Sequence, residues 1–227
     1  MIQNQYVEGV FKEEIKNRFL CLVTVEGEDI LCYIPSSCRL SNFMEMPGRK
    51  VLLRPIASEK SRTKYSVFAV WTKRRYIPVN LSNINTVVYE QINRRLFSKL
   101  GKRKRVSKET KIEGYKSDLY IADTNTLVEI KCILSFEEDA HFPTIYSERA
   151  VNQLKQLVNL LDKGYRVCYI FVSLNPTVKK LKINPDITDY YQLFYEGIEK
   201  GMQVLGFTAG FHKGNVISVD SQLDVQI

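Results

Sequence analysis

Residues 126–133, TLVEIKCI, form an apolar run with a glutamate and a lysine in its middle. A short apolar run rich in β-branched residues is typical of a buried β-strand. Because side chains alternate between the two faces of a strand, Glu129 and Lys131 must share one face. They are either the solvated face of a half-exposed strand or part of a metal-binding site.

A second strand pattern precedes this run, in KIEGYKSDLYIAD at residues 111–123. A turn at Asp123-Thr124-Asn125 would join the two strands as a hairpin and bring Asp118 near Glu129. Two carboxylates on adjacent strands are hard oxygen ligands that suit Mg²⁺ or Mn²⁺. Lys131 beside them could hold a water nucleophile and offset the charge that develops on a phosphodiester. Asp118, Glu129 and Lys131 are therefore candidate catalytic residues, and an ordinary half-exposed strand is the alternative.

The chain after about residue 80 alternates helix and strand patterns. Asn83 or Asn85 can cap a helix that runs to about Leu100, and apolar stripes predict two more helices, over about residues 144–163 and 189–200. Between these two, YRVCYIFVSL at residues 165–174 is a continuous apolar strand, which is typical of a buried parallel position. The alternation predicts an α/β domain with a mixed sheet over residues 81–227.

The first eighty residues have a different pattern, which predicts a small β-barrel over residues 1–80. Five aromatic or β-branched runs, punctuated by glycine and proline, are YVEGVFKEEI, RFLCLVTVEG, DILCYI, KVLLRPI and YSVFAVW. Aromatic residues among them are interleaved with cations that include Arg39, Arg62 and Lys64. Such a surface could stack bases and follow a phosphate backbone, or the aromatics could be barrel core and the cations solvated loops.

Composition restricts the compartment and the partners. The 227 residues carry a formal net charge of +8, which favours phosphate-bearing partners. Five scattered cysteines and two histidines exclude a disulfide framework, a zinc cluster and a histidine-rich metal site. The sequence has neither a signal peptide nor the ~20 apolar residues of a membrane span, so we expect a cytoplasmic protein without membrane association.

Cations are densest in KLGKRKRVSKETK at residues 99–111, which follows the first predicted helix. By itself this segment is typical of a flexible, solvated connection. Beside a nucleic-acid site the same segment would be a phosphate clamp, formed by Lys102, Arg103, Lys104 and Arg105. Dinucleotide-binding, Walker and GxSxG motifs are absent from the sequence.

The order D-x(10)-E-x-K, formed by Asp118, Glu129 and Lys131, resembles the PD-(D/E)xK nuclease superfamily. The whole chain resembles the sugar fermentation stimulation protein A family. Segments along the entire length carry this resemblance: YVEGVFKEEIKNRFLCLV, IPSSCRLSNFMEMPGRKVLL, VNLSNINTVVYEQI, KSDLYI, VEIKCI, FPTIYSERAVNQLKQL and EKGMQVLGF.

The resemblance implies an N-terminal OB-like barrel, a restriction-endonuclease-like domain and DNA binding. It also implies a metal ligand set of Glu90, Asp118, Glu129 and the carbonyl of Ile130. Glu90 has little support from the residues themselves, because it lies nearly opposite the apolar stripe of its helix.

Two motifs depart from the family pattern. Residues 35–38, Pro-Ser-Ser-Cys, replace a PNTG-like motif, and Gln153 stands where the helix motif TERGxKHL has its histidine. Arg149 and Gln153 are four residues apart on one polar helix face, so both could approach a phosphate. Glutamine at this position could hydrogen-bond a phosphate or a metal-bound water but could not act as an acid or base.

These observations predict a DNA-binding protein, monomeric or homodimeric, with Mg²⁺- or Mn²⁺-dependent nuclease activity. DNA rather than RNA is the expected partner. The alternative is a DNA-binding regulatory protein of sugar metabolism without turnover. A third hypothesis is that the fold serves as a scaffold for a protein partner. This hypothesis predicts no salt-dependent binding of nucleic acid.

Overall fold

A computed structural model describes residues 6–15, 19–35, 39–42, 44–58, 60–72, 74–79, 83–212 and 216–227. The chain forms two compact units. Unit 1 contains residues 1–83, 134–136 and 210–217, and unit 2 contains residues 84–133, 137–209 and 218–227. Ser36, Ser37 and Cys38, which carry the departure from the PNTG-like motif, lie outside the described residues.

Unit 1 contains a six-stranded sheet of which five strands, β1 to β5, close into a barrel, so the predicted β-barrel is confirmed. The sheet order is β3-β2-β1-β4-β5-β6, and β3 also pairs in parallel with β5 at Cys32 and Tyr65. A 3-10 helix, Leu40–Asn42, lies between β3 and β4. The strands are β1 Val7–Glu14, β2 Leu20–Val25, β3 Glu28–Tyr33, β4 Lys50–Pro55, β5 Tyr65–Trp71 and β6 Tyr76–Pro78.

The barrel core follows from the two-residue period of its strands. Alternate residues such as Cys21 and Val23 of β2, or Val51 and Leu53 of β4, are fully buried. Gly9 of β1 allows the close approach of β2, since a Cβ atom there would lie 2.6 Å from Cγ1 of Val23. Burial of these apolar side chains, at about 25 cal/mol per Å², is the main force that closes the barrel.

Unit 2 contains three α-helices, α1 Ile84–Gln91, α2 Glu148–Asp162 and α3 Thr188–Glu199, together with a 3-10 helix at Arg95–Leu100. The strands from this point of the chain onward are β7 Val106–Ile112, β8 Tyr115–Ile121, β9 Thr126–Ile133, β10 Asp139–Phe142, β11 Arg166–Ser173, β12 Lys180–Ile183, β13 Gln203–His212, β14 Val216–Gln222 and β15 Asp224–Gln226. All lie in unit 2 except the end of β13 and the start of β14, which belong to unit 1. No helix in the described part of the chain has the length and apolar character needed to span a membrane.

The main sheet of unit 2 has the order β14-β13-β11-β9-β8-β7, with a small parallel sheet β10-β12-β15 beside it. Strands β9, β11 and β13 are parallel, whereas β7, β8 and β9 pair antiparallel. The predicted mixed sheet is therefore confirmed. Leu154 and Leu157 of α2 pack with Phe194 of α3 and Phe171 of β11 in one buried cluster.

Two predictions for the start of unit 2 are wrong. The first helix ends at Gln91 instead of about Leu100, because Arg94 is extended with ψ 154° and a 3-10 helix follows it. The second half of the basic segment forms strand β7 instead of a loop. Glu113 and Gly114 both have positive φ, 49° and 84°, as in the type I′ turns that join two strands tightly.

Candidate metal centre

The candidate residues lie where β8 and β9 separate. The ladder between the two strands runs from Ile121–Thr126 to Leu119–Val128. Beyond it, side chains of β8 bond to the backbone of β9. Ser117 Oγ accepts from the N–H of Val128 at 3.2 Å, and Asp118 Oδ2 accepts from the N–H of Ile130 at 2.8 Å. A carboxylate thus takes the position of a ladder hydrogen bond.

Asp118 is held from two sides and is hard to ionise. Its Oδ1 accepts a hydrogen bond from Nδ2 of Asn85 on α1, at 2.8 Å. Burial, and next the charge of Glu129, raise the pKa of Asp118 to about 6, although hydrogen bonds from Ile130 and Asn85 and the charge of Lys131 oppose this shift. Two carboxylates therefore repel each other in a site with little water.

Glu129 is 3% exposed, and both of its oxygens have a donor. The hydroxyl of Tyr115 on β8 donates to Oε2, and Nζ of Lys131 lies 2.7 Å from Oε1. Burial, and next the charge of Glu129, raise the pKa of the Tyr115 phenol well above its usual value, so this hydroxyl remains a donor. A buried carboxylate with both oxygens satisfied has a defined orientation.

Lys131 connects the two strands to α2. Its Nζ donates to Oε1 of Gln153 at 3.0 Å in addition to Glu129, and it lies 6.0 Å from the ring centroid of Tyr169. Only 17% of the Lys131 side chain is exposed. The structure therefore brings together Asp118, Glu129, Lys131 and Gln153 from the predicted set, and the backbone N–H of Ile130 donates to Asp118.

Glu90, which the resemblance implies as a ligand, is exposed on α1. It forms no hydrogen bond or ion pair with the residues that the structure describes. Among these same residues no group of three or more His, Cys, Asp or Glu side chains is close enough to hold a metal ion. Asp118 and Glu129 are thus a two-carboxylate site, and the Glu90 ligand stays a prediction.

Three of the four cations of the predicted phosphate clamp already have partners within unit 2. Lys102 and Arg105 lie 3.8 and 3.4 Å from Oδ1 of Asp123, in the turn between β8 and β9. Arg103 Nε donates to the carbonyl of Ile92 at 2.8 Å, beyond the end of α1. Lys104 is exposed and has no such partner in the described chain. The segment is therefore more ordered than a flexible connection.

The remaining predicted cations are exposed. Arg149 lies on the first turn of α2 and makes no hydrogen bond or ion pair with a described residue. Arg39, Arg62 and Lys64 belong to unit 1, with the last two in the segment between β4 and β5.

The aromatic residues of unit 1 divide between core and surface, so the core interpretation holds for some of them, and base stacking by the exposed ones stays a prediction. Phe68 is buried, with the Arg54 guanidinium carbon 4.4 Å from its ring centroid. Tyr33 and Trp71 are exposed at 37% and 38%.

Sequence reasoning missed Tyr115, Ser117 and Asn85. Strand alternation would put Tyr115 and Asp118 on opposite faces, yet both interact with Glu129 because the ladder ends beside Ser117. Asn85 was a candidate helix cap; that interpretation is wrong, since it lies inside α1 and its amide donates to Asp118. The contact of Asn85 with β8 depends on how helix α1 packs against that strand, and no local sequence pattern predicts it.

Two family models match the chain in the predicted order. One is described as the SfsA N-terminal OB domain and matches residues 15–79, and the other is described as the sugar fermentation stimulation protein RE domain and matches residues 82–215. The predicted OB-like barrel and restriction-endonuclease-like domain are thereby confirmed, as is the resemblance found in the sequence.

Similar proteins cover nearly the full length. The chain is 25% identical to a sugar fermentation stimulation protein homolog of Pseudoalteromonas atlantica, with 94% of each chain covered. It is 23% identical to a homolog of Methanobrevibacter smithii, with 98% of each covered. A structure of Pyrococcus furiosus SfsA in complex with Ca²⁺ superposes with a TM-score of 0.82 at 22% identity, covering 100% of this chain and 98% of that one. The two structures share their fold.

Proposed function

This chain belongs to the sugar fermentation stimulation protein family, and we propose that it binds DNA and hydrolyses phosphodiester bonds with a bound Mg²⁺ or Mn²⁺. The observation that carries the proposal is the pair Asp118 and Glu129. Burial and the charge of Glu129 raise the pKa of Asp118 to about 6, and a divalent cation would remove this electrostatic cost. The complex of P. furiosus SfsA with Ca²⁺ supports divalent-cation binding by this fold.

The donor set fits a hard cation. Each of the four carboxylate oxygens of Asp118 and Glu129 accepts one hydrogen bond and retains lone-pair capacity for a ligand bond. Carboxylate and carbonyl oxygens suit Mg²⁺, Mn²⁺ or Ca²⁺, whereas zinc and copper sites typically use Cys or His ligands. The carbonyl of Ile130, the residue after Glu129 in sequence, would be a further oxygen ligand.

The bound metal would polarise the phosphodiester and lower the pKa of a coordinated water. Lys131 has three N–H donors, of which two are used by Glu129 and Gln153, so the third can donate to the scissile phosphate or to the attacking water. Its charge would offset the negative charge that develops on the phosphate. Gln153 accepts through its oxygen, which leaves its amide N–H groups to donate to a phosphate.

Cleavage of end-labelled single- and double-stranded DNA and RNA, with Mg²⁺, Mn²⁺ or EDTA, tests the proposal. Lys131→Ala and Glu129→Ala should each reduce metal-dependent cleavage by about 10²-fold or more while binding persists. Lys200→Ala is the matched control, because Lys200 also bonds to a carboxylate, Asp162 at 2.7 Å, but lies at the end of α3. Cleavage that survives both site substitutions would show that another protein or another site is responsible.

A non-catalytic DNA-binding protein is the second candidate, and one observation favours it. The ammonium of Lys131 already neutralises Glu129 at 2.7 Å, so the pair can persist without a metal ion. In that case Glu129→Ala and Lys131→Ala would leave DNA affinity unchanged, and no metal ion would support cleavage. Binding and cleavage measured on the same preparations separate the two candidates.

A further inference from the structure

Two exposed apolar side chains directly precede α2. Tyr146 is 58% exposed and Ile145 is 44% exposed, which makes Tyr146 the most exposed of the large hydrophobic residues described. Within the described residues its ring packs on no other aromatic ring and its hydroxyl makes no hydrogen bond. The next residue, Ser147, caps α2 by accepting from the N–H of Ala150 at 3.3 Å. The helix start is therefore well defined, and Tyr146 is positioned just outside it.

These two residues directly precede the helix that contacts Lys131. Gln153 of α2 bonds to Lys131, and Arg149 lies one turn earlier, about 6 Å along the axis and on nearly the same face. Tyr146 is three residues before Arg149. From the candidate metal centre toward the start of α2, the order of residues is therefore the amide of Gln153, the guanidinium of Arg149, which has no hydrogen-bond or ion-pair partner among the described residues, and then exposed Tyr146 just before the helix cap.

The acidic residue on this helix turn, Glu148, does not share the face of Arg149 and Gln153. Glu148 is adjacent to Arg149 in sequence, so its side chain leaves the helix about 100° away from that of Arg149. The face that contains Arg149 and Gln153 is therefore cationic and polar. Such a face is complementary to phosphates and not to a basic or purely apolar surface.

We propose that Tyr146, with Ile145 beside it, stacks on the base next to the phosphate held at Lys131, and that the substrate is a single-stranded or locally unpaired nucleic acid. The inference rests on the proposed function, because it places the phosphate at the same site. A flat aromatic ring binds the face of any base, but that face is accessible only where the base has left the duplex stack. Arg149 would form an ion pair with a phosphate located between Lys131 and Tyr146.

Binding without cleavage tests this inference directly. Fluorescence anisotropy in Ca²⁺ would compare labelled single-stranded DNA with the duplex of the same sequence. We expect Tyr146→Ala to weaken single-strand binding about 5- to 100-fold and to change duplex binding less than about 2-fold. Tyr146→Phe keeps the ring and should bind like wild type. Tyr195→Ala is the matched control, because Tyr195 is 51% exposed on α3. Unchanged single-strand binding by Tyr146→Ala, or an equal loss for the duplex, would overturn the inference.

A spectroscopic readout separates this inference from the nuclease proposal. The chain has one tryptophan, so Tyr146→Trp in a Trp71→Phe background places the only indole at the position in question. Single-stranded DNA should quench its fluorescence by stacking, and duplex DNA should not. Quenching without cleavage in any metal would support base stacking and refute the nuclease. Cleavage without quenching would support the nuclease and refute Tyr146 as a stacking residue.

Discussion

Replacing Asp118 by asparagine separates the stability of the fold from its proposed chemistry. The substitution preserves size and removes the charge that repels Glu129. The new amide oxygen can accept from the N–H of Ile130, and its NH₂ can donate to Asn85 once the Asn85 amide turns over. Because both hydrogen bonds can be retained, the main change is electrostatic.

The magnitude follows from the pKa of Asp118, which rises from 3.8 to about 6 on folding. One pKa unit corresponds to about 1.36 kcal/mol, so the ionised carboxylate costs the fold at most about 3 kcal/mol above pH 6. A carboxyl group with a raised folded pKa contributes stability that is fully present below about pH 4 and is lost as the pH rises through 6. Asp118→Asn should therefore be more stable than wild type at pH 8 and nearly equal to it at pH 4.

Urea unfolding at pH 4, 5, 6, 7 and 8 in EDTA would measure this difference. Asp123→Asn is a control of opposite sign, because the backbone N–H and side chain of Arg105 hold the pKa of Asp123 below its usual value. That variant should lose stability at neutral pH. Addition of Mn²⁺ at 100 times its Kd should stabilise the wild type by about 2.7 kcal/mol and leave Asp118→Asn unchanged.

The reasoning would be refuted if Asp118→Asn were no more stable than wild type at pH 8. A stability gain of equal size at pH 4 and pH 8 would refute it too, since the gain would then not arise from ionisation of Asp118. If Mn²⁺ stabilised the variant as much as the wild type, Asp118 would not be a metal ligand.

Three further predictions concern other parts of the molecule. Tyr115→Phe removes the donor to Glu129 and should weaken Mn²⁺ binding about 10- to 100-fold by calorimetry, and unchanged affinity would show that Tyr115 does not position the carboxylate. Lys104→Ala should lower the slope of log K against log salt for DNA binding by about one, and an unchanged slope would exclude a phosphate contact there. Gly206→Ala should destabilise unit 2 by about 1–3 kcal/mol in thermal unfolding, because the new Cβ would lie 2.4 Å from the carbonyl oxygen of Leu223. An unaltered melting temperature would mean that the backbone shifts at no cost in stability.

Local patterns in the sequence were sufficient for much of the fold. Strand β9 could be predicted from alternation and composition, and β8 from the turn that separates it from β9, because both signals lie within a few residues. The helix α2 could be predicted from its apolar stripe. The first helix was predicted too long because the sequence around the break at Arg94 contains no proline or glycine, the residues that usually indicate a helix end.

The sequence by itself determined the two-part architecture, the hairpin and the presence of Asp118, Glu129 and Lys131 on it. Each of these depends on the periodicity of neighbouring residues or on motif spacing. Only the tertiary structure decided which side chains orient the carboxylates. Asn85 reaches Asp118, and Gln153 reaches Lys131, from helices that are distant in sequence, and the end of the β8–β9 ladder brings Tyr115 to Glu129. Strand periodicity carries no information about such contacts, because they arise from the packing of separate elements and from a local departure from regular pairing.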